Sequence, residues 1–248
     1  MVSSYEQLTN DARVQWFSQI GPFSVETGAG LVTGISANTW EDFYEMAANL
    51  THNQQAGRII GPELMTVADE PLAKTISFQY ESEQRLEAIA NLSRKLPHTE
   101  FVIGAPEYQR NTTFNSAWLI INGMRQIVAR KSLITPAEAS VFSGRSAAWR
   151  TTNQSTQTVI CADLIMSPHP TTKHIQASCC WATPLIDNPH YIPPPDEERY
   201  TRAMKIALTS LMTHSAIHDI IVVDRTPSTT TIAPLNCFAT RLNNNTAP

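Results

Sequence analysis

Strand-like runs and amphipathic helical stretches alternate along most of this chain, and that alternation restricts it to an α/β architecture. Runs with strand character occur at residues 31–35, 58–61, 101–105, 117–122, 125–130, 157–160, 175–177, 220–223 and 232–238. Asn122-Gly123 lies between two of them and is a strong signal for a tight hairpin, so neighbouring strands there run antiparallel. Hairpins combined with helical crossovers give mixed sheets rather than a purely parallel one.

The helices carry their own punctuation. One opens at Thr39 with Asp42 three residues on, and places Phe43, Met46, Ala47 and Leu50 on one face. A second begins near Ser82, turns Leu86, Ile89 and Ala90 inward and ends at Arg94-Lys95 before Pro97. Its early Glu83 and late bases complement the helix dipole. A third is capped by Asp196 after Pro193-Pro194-Pro195 and continues to about Ser215, with Tyr200, Ala203, Ala207, Leu208 and Leu211 as its apolar stripe. Val14, Phe17 and Ile20 at helical spacing predict a helical leader. The chain thus divides into a leader at 1–27, one α/β domain at 28–240 and a disordered tail at 241–248, where Asn243-Asn244-Asn245 falls.

Bulk composition excludes several function classes. A formal charge of −4 provides no basic stripe for nucleic acid. No run of 18 consecutive apolar residues is present, so no membrane span is expected. The N-terminus has neither a basic region nor an apolar core of the signal-peptide kind, and a cytoplasmic location is the resulting expectation. The four cysteines, Cys161, Cys179, Cys180 and Cys237, have no disulfide-framework spacing and are expected to be reduced. His169, His174, Cys179 and Cys180 fit no closed zinc pattern, so no metal is expected. Gly28, Gly30 and Gly34 precede their strand instead of following one, which argues for a turn over a dinucleotide site.

Three residues with complementary chemistry sit just past strand-like runs: Glu63, Lys131 and Cys161. A free thiol with a pKa of about 8.5 is mostly protonated at neutral pH and needs a base or cation to become a nucleophile. A carboxylate can take that proton and later activate water. An ammonium can stabilise the charge that develops on an attacked carbonyl, where one such donor is worth roughly 2.7–4 kcal/mol. Each residue also has a bland reading: Cys161 as a small buried hydrophobe, Lys131 as a solvated strand end. Glu107 competes with Glu63 because it, too, follows a proline after a strand-like run.

The blocks around these residues resemble the nitrilase superfamily, the carbon-nitrogen hydrolases. Ile59-Ile60-Gly61-Pro62-Glu63-Leu64 is similar to the glutamate block. Phe114-Asn115-Ser116-Ala117 leads through Asn122-Gly123 to Arg130-Lys131-Ser132-Leu133, similar to the lysine block. Val159-Ile160-Cys161-Ala162-Asp163 is similar to the cysteine block, Pro136-Ala137-Glu138 to the second glutamate, and Ser178-Cys179-Cys180-Trp181 to a stretch that lines the pocket. The likeness spans roughly residues 31 to 240. It departs after Asp163, where Leu164-Ile165-Met166-Ser167-Pro168-His169 replaces the usual stretch, and nothing before about Gly28 corresponds.

The resemblance implies a four-layer α-β-β-α sandwich with mixed sheets. It implies Glu63 as base, Lys131 as oxyanion donor together with the Ala162 backbone N–H, Cys161 as nucleophile and Glu138 as helper, with Asn115 and Trp181 among the substrate-binding residues. No cofactor is needed, the substrate is a small amide or acyl compound, and a homodimer is expected by resemblance. The leading function is hydrolysis of a small non-peptide carbon-nitrogen bond through a thioester. The Phe-Asn-Ser-Ala block is also similar to the catalytic domain of apolipoprotein N-acyltransferases and conjugation-associated relatives, so acyl transfer to an amine is the enzymatic alternative. A catalytically weak interaction module on the same fold is the third.

Overall fold

The computed structural model describes residues 14–17, 21–27, 30–52, 57–70, 72–134, 136, 138–144, 150–151, 156–160, 163, 174–178, 219–223 and 237–241. Within them, six strands form one sheet: β2 (Gly21–Thr27), β3 (Gly30–Ser36), β4 (Arg58–Ile60), β5 (Glu100–Gln109), β6 (Thr112–Ile121) and β7 (Met124–Arg130), paired in that order. The second sheet contains β1 (Val14–Phe17), β8 (Arg150–Thr151), β9 (Thr156–Ile160), β10 (His174–Ser178), β11 (Asp219–Val223) and β12 (Cys237–Arg241), in the order β1-β12-β11-β10-β9-β8. In each sheet a parallel centre, β3-β4-β5 or β9-β10-β11, is flanked by antiparallel pairs. The β6–β7 hairpin turns at Asn122 and Gly123, both at positive φ (47° and 77°), the backbone that a two-residue turn of this type requires.

Alternation along the strands buries both faces of the first sheet. Phe23, Val32 and Ile60 point at Ile221 and Val223 of the second sheet. Val102, Ala117, Val128 and Ala129 meet Ile160 in the same way. On the other face Ile35, Ile59, Phe101, Ile103 and Ile120 pack against two helices, α1 (Trp40–His52) and α2 (Gln79–Lys95). The helices contribute Phe43, Ala47, Leu86, Ile89 and Ala90, none of them accessible to solvent. Each large apolar side chain buried this way contributes about 1.5–3 kcal/mol. The result is helices on sheet on sheet, three layers of an α-β-β-α sandwich; the helix expected between 196 and 215 lies outside the described residues.

Local signals account for the helix ends. The Asp42 amide donates to Thr39 Oγ1 at 3.2 Å, the cap expected at the start of α1. α2 begins three residues before the expected Ser82, because a 3-10 segment, Leu72–Phe78, feeds directly into it. Ser82 is then an interior helical residue whose hydroxyl meets Thr66 Oγ1 at 2.7 Å.

The expected helical leader is not what forms. Residues 14–17 and 21–27 are strands: β1 pairs antiparallel with β12, joining Val14 to Thr240 and Phe17 to Cys237, and β2 pairs antiparallel with β3. Val14, Trp16 and Phe17 in β1 and Phe23, Val25 and Thr27 in β2 suit a pleated surface, and along β2 buried Phe23 is flanked by exposed Pro22 and Ser24. The division at residue 28 therefore falls between paired strands and marks no domain boundary. At the other end β12 extends to Arg241, and the expected tail at 242–248 lies outside the described residues. Among the described residues no helix is long and apolar enough to cross a membrane.

Candidate active site

Glu63 leaves the end of β4 at a sharp bend. The Gly61 amide donates to the Val102 carbonyl at 2.8 Å, and the Gly104 amide to the Pro62 carbonyl at 3.1 Å, so the bend is tied to β5 on both sides of residue 62. Leu64 then adopts left-handed backbone, φ 53° and ψ 31°, uncommon for a residue with a side chain. Gly104 makes the close crossing possible: a Cβ there would collide with Glu63 Cα, Leu64 N and Pro62 O.

Lys131 follows the last residue of β7 and keeps the ladder going for one more step, its amide donating to the Asn115 carbonyl on β6 at 2.8 Å. Its ammonium reaches Glu63 Oε1 at 3.0 Å and Glu138 Oε1 at 2.7 Å. Glu138 opens a 3-10 turn, Glu138–Ser140, whose carbonyl side is closed by the Val141 and Phe142 amides. Glu138 therefore opens a short helical turn and pairs in charge with Lys131. Asn115 Nδ2 donates to Glu63 Oε1, and to Glu138 Oε1 at 3.4 Å. All four residues are buried, with relative exposures of 0–2%.

Two carboxylates around one ammonium leave excess negative charge in a dry site. Burial pushes the Glu63 carboxyl above its ordinary range and the neighbouring Glu138 pushes the same way, while Lys131 and the Asn115 amide pull it down. The outcome is a raised pKa, the shift expected of a proton acceptor working near neutrality.

Glu107, the competitor for the role of base, belongs to a different cluster. β5 extends through it to Gln109, so it is a strand residue and does not follow a strand. Arg130 grips it with Nε and with Nη2, the latter at 2.7 Å, and Ser116 and Gln109 donate at 3.1 and 2.7 Å. Burial would raise its pKa, but these hydrogen bonds and the guanidinium charge outweigh that and hold it low. A carboxylate so held is a poor proton acceptor.

Cys161, Ala162 and Trp181 lie outside the described residues, but the chain next to Cys161 is described. Ile160 closes β9 within the inter-sheet core. Asp163, fully buried, accepts from the Ser132 amide at 2.7 Å, the Ser132 hydroxyl at 3.0 Å and the Leu133 amide at 2.8 Å. The segment after Cys161 is therefore bound to the residues directly after Lys131. Asp163 and Gly104 carry positional work that the sequence did not flag. Among the described residues, no group of three His, Cys, Asp or Glu side chains could hold a metal ion.

This architecture has known counterparts. An amidase from Nesterenkonia sp. superposes with a TM-score of 0.58 at 11% identity, covering 78% of this chain and 75% of that one. The fold is the nitrilase fold. A cysteine-to-alanine mutant of a Nesterenkonia amidase from the nitrilase superfamily gives 0.60 at 9% identity over 85% of this chain and 89% of that one. A carbon-nitrogen hydrolase from Helicobacter pylori gives 0.56 at 13% identity, over 79% and 73%. Another structure of the Nesterenkonia amidase carries acrylamide added at its active-site cysteine. No protein-family model and no curated protein matches the sequence. At such identities the nitrilase fold is shared, and chemistry has to be argued from this chain's own residues.

Proposed function

We propose that this nitrilase-fold protein is a cysteine-dependent amidase that hydrolyses a small, non-peptide carbon-nitrogen bond through a thioester. The observation that carries this reading is the convergence of Glu63, Lys131 and Glu138 in one buried cluster, with the chain after Cys161 held against the chain after Lys131 through Asp163. Cys161 directly follows Ile160 and precedes Asp163 by two residues, and this chain connectivity supports its assignment as the nucleophile. The amidase from Nesterenkonia sp., with acrylamide added at its active-site cysteine, supports the same class of chemistry.

In this mechanism Glu63 takes the thiol proton and the Cys161 sulfur bonds to the substrate carbonyl carbon. The electron pair of the C=O bond moves to oxygen, where the Lys131 ammonium and the Ala162 amide stabilise it. The pair returns as the C–N bond breaks, and the departing nitrogen takes the proton from Glu63, leaving a thioester. Glu63 then takes a proton from water, the hydroxide adds to the thioester carbon, and the thiolate leaves with that proton as the acid is released. Glu138 keeps the Lys131 ammonium aimed and charged. The site residues assigned here are Glu63, Lys131, Cys161 and Glu138, with Trp181 as a wall of the substrate pocket.

Intact-mass analysis after incubation with a panel of small amides and esters tests the reading. A mass increase on wild type that is absent from Cys161→Ala supports a covalent acyl-enzyme, whereas no increase with any compound contradicts it.

A further inference from the structure

Asn115 and Lys131 address the same two oxygen atoms. The Lys131 ammonium lies 3.0 Å from Glu63 Oε1 and 2.7 Å from Glu138 Oε1, and the Asn115 amide nitrogen donates to both of those atoms. We propose that Asn115 is a positioning residue that keeps Glu63 ionised as the proton acceptor for Cys161 while a second carboxylate lies beside it. This deepens the amidase reading and rests on it.

Like charges in a dry site drive one carboxylate to take a proton. A single ammonium cannot neutralise both, and a second cation would over-compensate and depress the basicity the site needs. A neutral amide donor stabilises the charged form without carrying a titratable proton of its own. The charged groups acting on Glu63 include Lys131, which lowers its pKa, and Glu138, which raises it, and the Asn115 amide adds to the lowering side.

The backbone adds a second function. Asn115 is fully buried on β6, opposite Pro106 of β5, and its carbonyl accepts the Lys131 amide at 2.8 Å. One residue therefore fixes the Lys131 main chain and both carboxylate side chains. Its orientation is determined as well, because a flipped amide would turn its carbonyl oxygen toward two carboxylate oxygens. This role is distinct from the substrate contact expected of Asn115 from the resemblance.

The test is the pH dependence of iodoacetamide alkylation at Cys161, followed by peptide mass spectrometry, in wild type, Asn115→Leu and Asn115→Asp. The acid limb belongs to the Cys161–Glu63 pair. Loss of a donor to the charged form raises that limb by about one pH unit in Asn115→Leu, a tenfold slower reaction on the limb with the alkaline plateau retained. Asn115→Asp, matched in size, shifts it in the same direction by more, and decides the matter if the leucine variant does not fold. An unshifted limb, or a uniform loss of rate at every pH, overturns the proposal. If Cys161 of the wild type reacts no faster than the other cysteines, the amidase reading itself fails, an outcome distinct from an unshifted limb.

Discussion

Asp163 binds Ser132 twice, accepting from its amide at 2.7 Å and its hydroxyl at 3.0 Å, and so joins the segment after Cys161 to the segment after Lys131. Both segments leave the ends of strands that belong to different sheets, β9 and β7. The carboxylate therefore ties the chain just after Cys161 to the chain just after Lys131. Removing it deprives two part-buried amides and a part-buried hydroxyl of their acceptor, and a hydrogen bond of this kind contributes about 0.5–1.5 kcal/mol. Asp163→Ala should lower the thermal midpoint and slow Cys161 alkylation, while Asp163→Asn, which keeps an acceptor oxygen, should recover part of both. Calorimetry and alkylation kinetics on the two variants check this.

Lys131→Met should be costly for a different reason. It strands Glu63 and Glu138 beside each other without a cation, and breaking a buried ion pair from one side costs about 3–5 kcal/mol. Protonation relieves that repulsion, so the deficit measured by urea denaturation should shrink as pH falls from 7 to 5. A deficit independent of pH would mean that the ammonium does not hold the two carboxylates.

Glu63 and Glu107 should leave opposite marks on the stability–pH curve. Glu63 has a folded pKa raised above its ordinary 4.5 by burial, against Lys131. The folded state then binds the extra proton, so its contribution is complete below about pH 4.5 and is lost as pH rises through the raised value. Glu107, held low chiefly by the Arg130 hydrogen bonds against its burial, contributes above its unfolded pKa and loses that contribution as pH falls. Glu63→Gln should therefore flatten the decline on the rising side, and Glu107→Gln should reduce the loss in acid. Denaturation midpoints across pH 3 to 8 for the two variants should diverge from wild type in opposite windows.

Gly104→Ala should disturb the site from below. Its new methyl has nowhere to go except into the backbone that carries Glu63, and overpacking of this kind costs about 1–3 kcal/mol. The expected result is a lower thermal midpoint and slower Cys161 alkylation, compared with Gly57→Ala, whose Cβ would meet the Leu31 carbonyl away from this cluster, as a control for general crowding.

What could be read from the residues follows a physical pattern. The Asn122-Gly123 hairpin, the Thr39 cap and the apolar faces of α1 and α2 depend on local chemistry, and they formed as expected. The meeting of Glu63 and Lys131 was legible because each follows a strand-like run of the first sheet, whereas Glu138 was indicated only by the family resemblance. The segments at 14–17 and 21–27 are strands although Val14, Phe17 and Ile20 fit a helical face, because the strand partners that decide the matter lie at 237–241 and 30–36. The start of β6 was hidden for another reason. Thr112-Thr113-Phe114-Asn115-Ser116 has the composition of a turn, yet Asn115 and Ser116 are fully buried because their side chains serve Glu63 and Glu107. Polar residues that satisfy partners from distant segments leave no local pattern.

Whether Cys161 acts with this cluster is tested most directly by competitive alkylation of the native protein at pH 7 with limiting iodoacetamide, the four cysteines quantified separately by peptide mass spectrometry. Cys161 should react at least about tenfold faster than Cys179, Cys180 and Cys237, and Glu63→Gln should abolish the difference. Equal rates at all four, or a fast Cys161 that is indifferent to Glu63, would contradict the shared site.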